Sequence, residues 1–211
     1  MARAKAIVFD LDEVLLDTRP AWVYALEESV VSVSGRRENF RPLVAEYRCR
    51  PVRDVLAMLL PTREERDRCE SLFATMYGRS ALKKLLVHEG VGMALDQLRS
   101  LRVEMAAITR QDHALAMRQI ESTGLDRFFS VLSPTPPGEP WTPAARAREC
   151  LDYLEYGPSL CAYISGDHMD LEVVAAVGLD CYEAEWAAAE PTGFPVIPSM
   201  ARLATAAAHS R

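Results

Sequence analysis

The chain has 211 residues, of which 49% are hydrophobic, so it is long enough to bury the core of one large domain or of a domain with a modest second one. Its formal net charge of -6 argues against a general affinity for nucleic acid, because clustered lysine and arginine drive phosphate-backbone binding. The amino terminus has no secretory apolar segment, no later run approaches about 18 apolar residues, and the five cysteines form no C-x-x-C pair, so we expect a cytoplasmic protein with reduced thiols and no membrane partner.

The first predicted element is a buried strand that ends in acids. Residues 6–9 form a short apolar run, and Asp10 and Asp12 follow it directly. A carboxylate carried into a core without a partner is costly. The pattern therefore predicts either that the strand ends at a solvent-filled site or that the acids hold a cation.

A helical segment comes next. Residues 19 to 84 carry helix-like patterns, at 21–31, 52–60 and 63–77. Thr62 before the last of these, with Glu65 three residues further on, predicts a capping box. We expect residues 18–84 to form an all-helical cap domain inserted after the first strand.

Strands and helices alternate through the rest of the chain. Apolar runs predict buried strands at 103–108, 160–164 and 179–182, with a weaker one at 128–132. Helical patterns lie between them, at 91–101, 113–123 and 143–154. Apolar strands that alternate with helices indicate a parallel sheet covered on both faces. We predict a doubly wound, Rossmann-like α/β core made of residues 1–17 and 85–211.

Polar residues stand at the carboxyl ends of three of these strands. Asp10 and Asp12 end the first strand, Thr109 and Arg110 end the second, and Asp167 follows the strand that reaches Ser165. In an open parallel sheet, ligands bind outside the carboxyl ends of the strands. Oxygen donors that converge there suit a hard cation such as Mg²⁺ with a bound phosphate.

The motifs in this order resemble those of the haloacid dehalogenase (HAD) superfamily, in its helical-capped phosphatase branch of phosphoglycolate phosphatase-like and β-phosphoglucomutase-like proteins. Residues 9–18 resemble the first motif, 107–109 the second and 165–170 the fourth. Residues 194–199, followed by a helical pattern, are similar to the closing segment of the family. The resemblance therefore covers nearly the whole chain.

The resemblance implies a role for each acid. Asp10 would be the nucleophile that forms an aspartyl-phosphate, and Asp12 would protonate the leaving oxygen and then activate water. Thr109 would hydrogen-bond the transferring phosphoryl group. The implied Mg²⁺ residues are Asp10, Asp12, Asp167 and Asp170, of which Asp10 and Asp167 bind directly and Asp170 acts through the metal's waters. Asp170 taken alone equally suits an N-cap of the following helix.

The sequence departs from the family pattern in three places near the site, one of which is the short spacing of two residues between Asp167 and Asp170. Glu139 stands where the family has a lysine that ties the nucleophile to the phosphate, and no lysine follows Lys84. Removing one such charged donor costs about 10²- to 10³-fold in rate. Arg110 is the favoured phosphate-binding substitute, with Arg146 or Arg148 as further candidates. Glu13 stands where the family commonly has a glycine in a sharp turn.

Arginines near the start of the second cap helix give a hint about the substrate. Arg48, Arg50 and Arg53 occupy the place where related caps carry their specificity loop. They suit the clamping of an anionic substrate, and they equally suit a solvated basic helix start.

We therefore predict a Mg²⁺-dependent phosphatase that acts on a small phosphorylated metabolite, as a monomer or homodimer. One alternative is a catalytically impaired HAD-like protein that binds a phosphorylated ligand or a partner protein, which Glu139 and Glu13 favour. The other is a phosphosugar mutase, because these motifs do not distinguish water from a sugar hydroxyl as acceptor.

Overall fold

The computed structural model describes residues 4–37, 39–40, 42 and 52–208. The strands within them are β1 (Ala6–Asp10), β2 (Leu16–Asp17), β3 (Leu86–Val87), β4 (Glu104–Thr109), β5 (Val131–Pro134), β6 (Cys161–Ser165), β7 (Asp180–Ala184) and β8 (Val196–Ile197). The α-helices are α1 (Arg19–Ser34), α2 (Val52–Leu59), α3 (Arg63–Tyr77), α4 (Val91–Ser100), α5 (His113–Thr123), α6 (Pro143–Leu154), α7 (His168–Ala175) and α8 (Met200–Ala208). Short 3₁₀ turns lie at Ser80–Lys84, Asp126–Phe128 and Pro158–Leu160.

A parallel sheet is the centre of the α/β part. Its strands follow the order β5-β4-β1-β6-β7-β8, and every neighbouring pair is parallel. The chain builds the sheet from β1 to one edge and then from β6 to the other, so the order reverses beside β1. The predicted doubly wound α/β fold is confirmed. Strand β8 was not predicted, because two residues at a sheet edge carry no readable periodicity.

Alternate residues of β1 pack into two different cores. Ile7 and Phe9 belong to the core that α4, α5 and α8 cover, and Ala6 and Val8 belong to the core that α6 and α7 cover. Every residue of β1 is buried as a result. By the same alternation Asp10 falls on the side of Val8, at the end of the strand where the helical cover stops.

The contacts divide the chain into two compact units, residues 1–17 with 87–211, and residues 18–86. In the helical unit, α1 packs against α3, where Trp22 meets Phe73 edge to face at 5.6 Å between ring centroids. The predicted capping box of α3 is confirmed, since Thr62 Oγ1 accepts from the Glu65 amide at 3.2 Å and Glu65 Oε2 accepts from the Thr62 amide. None of the helices in the described ranges is both long and apolar enough to cross a membrane.

Candidate active site

Asp10 ends β1 in a buried position beside β6. Its residue is 7% exposed, and Ser165 Oγ donates to Asp10 Oδ2 at 3.2 Å. Ser165 also accepts from the backbone amide of Asp167 at 3.1 Å. Because Phe9 pairs with Ile164, the period of two along each strand brings Asp10 and Ser165 to the same side of the sheet. The hydroxyl of Ser165 therefore links the first acid to the loop after β6.

Asp12 has a different partner, on β4. Thr109 Oγ1 donates to Asp12 Oδ2 at 2.6 Å, and the Thr109 hydroxyl accepts from the Gln111 amide at 3.1 Å. The other oxygen, Asp12 Oδ1, is buried and has no hydrogen-bond partner among the described residues. Gln119 of α5 is fully buried, and its side-chain amide lies close enough to Asp12 to lower the pKa of that acid. The carboxylate of Asp12 is therefore held in place chiefly by its hydrogen bond from Thr109.

The environment raises the pKa of both acids. Burial raises the pKa of Asp10 well above its ordinary value, and the charges of Asp12 and Asp170 raise it further. Burial also raises the pKa of Asp12 to about 6, although the hydrogen bond from Thr109 opposes that rise and the charge of Glu13 adds to it. A carboxyl whose pKa is raised in this way keeps its proton to a higher pH than an ordinary aspartate, which suits a proton donor.

Arg110 joins the strand end of β4 to the loop after β6. Its Nη2 lies 3.2 Å from Asp167 Oδ2 and 2.9 Å from Asp170 Oδ2. The indole Nε1 of Trp141 lies 3.0 Å from both carboxylate oxygens of Asp170, and the Arg110 guanidinium carbon lies 4.9 Å from the centroid of that indole. Burial raises the pKa of Asp170, and the charge of Arg110 opposes this. Four side chains from three segments thus form one polar cluster.

Asp167 caps helix α7. Its Oδ1 accepts from the amides of Met169 and Asp170, at 2.9 and 3.2 Å. The N-cap is therefore Asp167, and the alternative reading of Asp170 as the cap is wrong. The tight turn after Gly166 explains the difference, because it starts the helix within one residue of Asp167.

A family model described as haloacid dehalogenase-like hydrolase matches residues 7–173, which include every acid of this site. The chain belongs to the haloacid dehalogenase-like hydrolase family.

Relatives of this haloacid dehalogenase-like hydrolase include a phosphorylated carbohydrates phosphatase from Thermotoga maritima, 26% identical over 61% of the chain and 60% of that relative's length. A structure from Haemophilus somnus, described as a predicted phosphoglycolate phosphatase, superimposes with a TM-score of 0.83 at 15% identity, over 98% of this chain and 99% of that one. One from Thermotoga maritima, provisionally named a β-phosphoglucomutase, has a TM-score of 0.77 at 19% identity, over 95% and 97% of the two chains. These two structures are similar to the chain in fold.

Glu139, which the resemblance aligns with a family lysine, pairs with a basic residue. Its side chain is 54% exposed and lies 3.8 Å from Arg146 Nη2. Arg146 also donates to the carbonyl of Pro134 at 3.2 Å and lies 3.1 Å from Glu149. Arg148 is exposed on the same helix. Arg110, by contrast, is the arginine whose charge lowers the pKa of Asp10 and of Asp12.

Glu13 occupies the left-handed turn that the family pattern implies. Its φ is 66°, a backbone conformation that favours glycine. Its amide donates to the carbonyl of Leu16 at 2.7 Å, which closes the turn after the two acids. The carboxylate of Glu13 therefore lies close enough to raise the pKa of Asp12.

The predicted substrate arginines belong to the helical unit. Arg53, in α2, is 71% exposed and lies 3.4 Å from Glu70 Oε1 of α3. Arg48 and Arg50 lie outside the described residues. Their role in binding a substrate stays a prediction.

The oxygen donors of this site suit a hard divalent cation. Burial and the charges of Asp12 and Asp170 raise the pKa of Asp10, so a cation bound beside these acids would favour their ionised forms. Among the described residues, no group of three or more His, Cys, Asp or Glu side chains is arranged so that it could hold a metal ion. The acids of the α7 loop are bonded to Arg110 instead.

Sequence reasoning missed three polar residues of the site. Ser165 had a signal, because it directly precedes the Gly-Asp pair at a strand end. Trp141 and Gln119 had none, since a tryptophan in a loop and a glutamine in an amphipathic helix are ordinary in sequence. Only the packing of α5 and of the loop before α6 brings them to the acids.

Proposed function

We propose that the protein is a Mg²⁺-dependent phosphatase that hydrolyses a small phosphate monoester through an aspartyl-phosphate. One observation carries this proposal: Asp10 and Asp12 share a strand end, yet Ser165 bonds the first and Thr109 bonds the second. Separate partners allow two carboxylates of one motif to keep different protonation states. Covalent attack and proton transfer by two adjacent acids need such a difference.

The two acids then act in sequence. An Asp10 oxygen attacks phosphorus while the bond from phosphorus to the leaving oxygen breaks, and the carboxyl of Asp12 gives that oxygen its proton. The alcohol departs and leaves a phosphoryl group on Asp10. The Asp12 carboxylate next takes a proton from a water molecule that attacks the same phosphorus. Inorganic phosphate leaves, Asp10 regains its carboxylate, and Asp12 is again protonated.

The other residues of the site would hold the phosphoryl group and the cation. Arg110 would donate to the phosphoryl oxygens, and the Thr109 hydroxyl would do so after turning away from Asp12, to which it donates here. Asp10 and Asp167 would hold Mg²⁺ directly and Asp170 would act through its waters, while Asp12 would lie beside the ion with its carboxyl free to transfer the proton. The ion, when bound, neutralises charge on the phosphoryl group and favours the ionised form of Asp10. Because this chain has no lysine at the position that the resemblance implies, Arg110 would be the cationic side chain that binds the phosphoryl group at this edge of the sheet.

Phosphorylated carbohydrates are the first substrates to test. The Thermotoga maritima relative is named for them, and they are small phosphate monoesters of the proposed class. Phosphoglycolate and generic aryl phosphates complete the panel. The predicted binding of a small phosphorylated metabolite belongs to this proposal.

The test is phosphate release from this panel with and without Mg²⁺. We expect Mg²⁺-dependent turnover that Asp10→Asn abolishes and that Asp12→Asn lowers by about 10²- to 10⁴-fold. Asp96→Asn is the matched control, because Asp96 is an exposed residue of α4 that pairs with Arg99. Turnover by Asp10→Asn at the wild-type rate would exclude the mechanism.

The same experiment separates the two alternative functions. A mutase would transfer its phosphoryl group to a sugar hydroxyl and release little phosphate, which product analysis with a phosphosugar detects. A binding protein would bind Mg²⁺ or a phosphorylated ligand without turnover. The pairing of Glu139 with Arg146 weakens the argument for an impaired enzyme, because the charge of Glu139 has a partner.

A further inference from the structure

The guanidinium of Arg110 is held by both acids that the proposed function assigns to Mg²⁺ on the α7 loop. It lies 3.2 Å from Asp167 and 2.9 Å from Asp170. The side chain of Asp170 is only 5% exposed, that of Asp167 is 28% exposed, and that of Arg110 is 38% exposed. Partial burial weakens solvent screening, so this is a stronger contact than an ordinary surface ion pair.

Trp141 contacts both members of the ion pair between Arg110 and Asp170. Its indole nitrogen donates to Asp170, and the face of its ring lies 4.9 Å from the Arg110 guanidinium carbon. A cation over a tryptophan face is attracted by the negative charge of the ring. Trp141 therefore orients the acid and supports the arginine that the acid binds.

The oxygens of these two acids are already in use. Asp170 bonds Trp141 through both oxygens and Arg110 through Oδ2. Asp167 uses Oδ1 for the amides at the start of α7 and Oδ2 for Arg110. A divalent cation needs carboxylate oxygens that are free to turn toward it, and it repels a guanidinium that occupies the same pair.

We propose that Arg110 and the divalent cation compete for the carboxylates of Asp167 and Asp170, so that only one of them is bound there at a time. When metal binds these carboxylates, the Arg110 side chain leaves them and can bind the phosphoryl group. This inference rests on the proposed function for the identity of the two ligands. It makes Arg110 a coupling residue as well as a phosphate ligand. Metal binding and phosphate binding then reinforce each other, while Arg110 alone opposes the metal.

Calorimetry with Mg²⁺ alone tests the exclusion. If the Arg110-bound arrangement is the main one without metal, its removal in Arg110→Gln raises the apparent Mg²⁺ affinity by about tenfold, since the wild type binds only through its minor, open arrangement. Arg118→Gln removes the same charge from an exposed arginine of α5 and should leave the affinity within about twofold. Equal or weaker Mg²⁺ binding by Arg110→Gln, or no binding by either protein, would overturn the proposal.

The emission of Trp141 reports the displacement directly. Mg²⁺ should change the tryptophan fluorescence of the wild type as the guanidinium leaves the indole. Trp141→Phe should lose this change, and Arg110→Gln should show a smaller one while calorimetry still detects bound metal, because only the bond from the indole to Asp170 is then disturbed. A Mg²⁺-induced change of the same size in Arg110→Gln would contradict the displacement of Arg110.

Inorganic phosphate tests the coupling. Mg²⁺ should strengthen phosphate binding by the wild type more than by Arg110→Gln, so that one substitution tightens metal binding and weakens metal-dependent phosphate binding. Equal strengthening in both proteins would refute the coupling. These measurements need no turnover, so the exchange can hold in a protein that fails the phosphatase test, and an active phosphatase can lack it.

Discussion

At the scale of single residues, the site contains buried carboxyl groups whose charge destabilises the fold, together with hydroxyl groups that hydrogen-bond to them. Asp10 is buried and its pKa is raised, and only a hydroxyl of Ser165 is bonded to its Oδ2 in the contacts described above. Asp12 keeps one oxygen without a partner in the described part of the chain. Such costs are common at functional sites, where ionisable groups are held in buried positions for the sake of their chemistry.

Asp12→Asn should stabilise the metal-free protein in a pH-dependent way. The folded pKa of Asp12 is raised to about 6 from its ordinary value of 3.8, so above pH 6 the folded state carries the full cost of the charge. Between pH 6 and about 4 the folded state takes up the proton first, and the cost disappears. Urea unfolding in EDTA should show a gain of up to about 3 kcal/mol at pH 7.5 that falls below about 1 kcal/mol near pH 4. A gain that is the same at both pH values would show that charge is not the cause.

Glu13→Gly should stabilise the turn after the acids by about 1 kcal/mol, because a residue with a Cβ is strained at a φ of 66°. Glu13→Ala is the matched control, since it removes the same carboxylate and keeps the Cβ. Both free energies of unfolding come from urea titrations. The difference in free energy of unfolding between Glu13→Gly and Glu13→Ala measures the backbone strain alone. Equal stability of the two variants would show that the turn carries no strain.

At the scale of elements, the loop between β6 and α7 is the most constrained part of the site. A Cβ on Gly166 would lie 2.5 Å from the backbone carbon of Ala187, so this position has no room for a side chain. The next residue, Asp167, caps α7 and contacts Arg110. Close packing of one loop against another therefore determines where the carboxylate of Asp167 points.

Gly166→Ala should destabilise the protein by about 2 kcal/mol, because the clash is with backbone that cannot turn aside. It should also weaken Mg²⁺ binding, since Asp167 shifts with the loop. Gly92→Ala is the control, because Gly92 lies in α4 with nothing within 4 Å of an added Cβ, and there we expect a gain of about 0.5 kcal/mol. Thermal unfolding and calorimetry measure both effects. A stable Gly166→Ala protein with unchanged Mg²⁺ affinity would contradict the packing argument.

At the scale of the whole molecule, the fold gathers negative charge in a protein that is already acidic. The net charge is -6, and the ends of β1 and β6 add carboxylates at one edge of the sheet. Arg110 offsets part of this charge locally. A bound divalent cation would offset more of it, so metal binding should appear as stability of the entire α/β unit.

Mg²⁺ at about 100 times its dissociation constant should add about 2.7 kcal/mol to the free energy of unfolding, which raises Tm by about 5 to 10 °C for a chain of this size. Asp167→Asn should lose most of this shift, because asparagine caps a helix as well as aspartate but carries no charge. NaCl at equal ionic strength and Asp96→Asn are the controls. A full Mg²⁺ shift in Asp167→Asn would exclude this residue as a ligand.

The sequence alone determined the layers of the α/β unit and the acids at the strand ends. Short apolar runs such as 6–9 and 160–164, which alternate with helical patterns, indicate buried strands of a covered sheet, and the carboxyl ends of parallel strands meet at one edge. Thr62 and Glu65 likewise predicted the start of α3, because a capping box is local. Periodicity and neighbouring residues carry this information.

Only the tertiary structure decided the partners of those acids. Nothing in the sequence shows that Trp141 bonds Asp170, that Glu139 is paired with Arg146, or that Arg110 lies between Asp167 and Asp170. The contacts of Asp170 join residues that are far apart in the chain, and all three contacts depend on how side chains fill space where loops meet strand ends. The periodicity of a sequence segment does not predict such contacts, because they depend on how side chains pack and how charges pair in the folded protein.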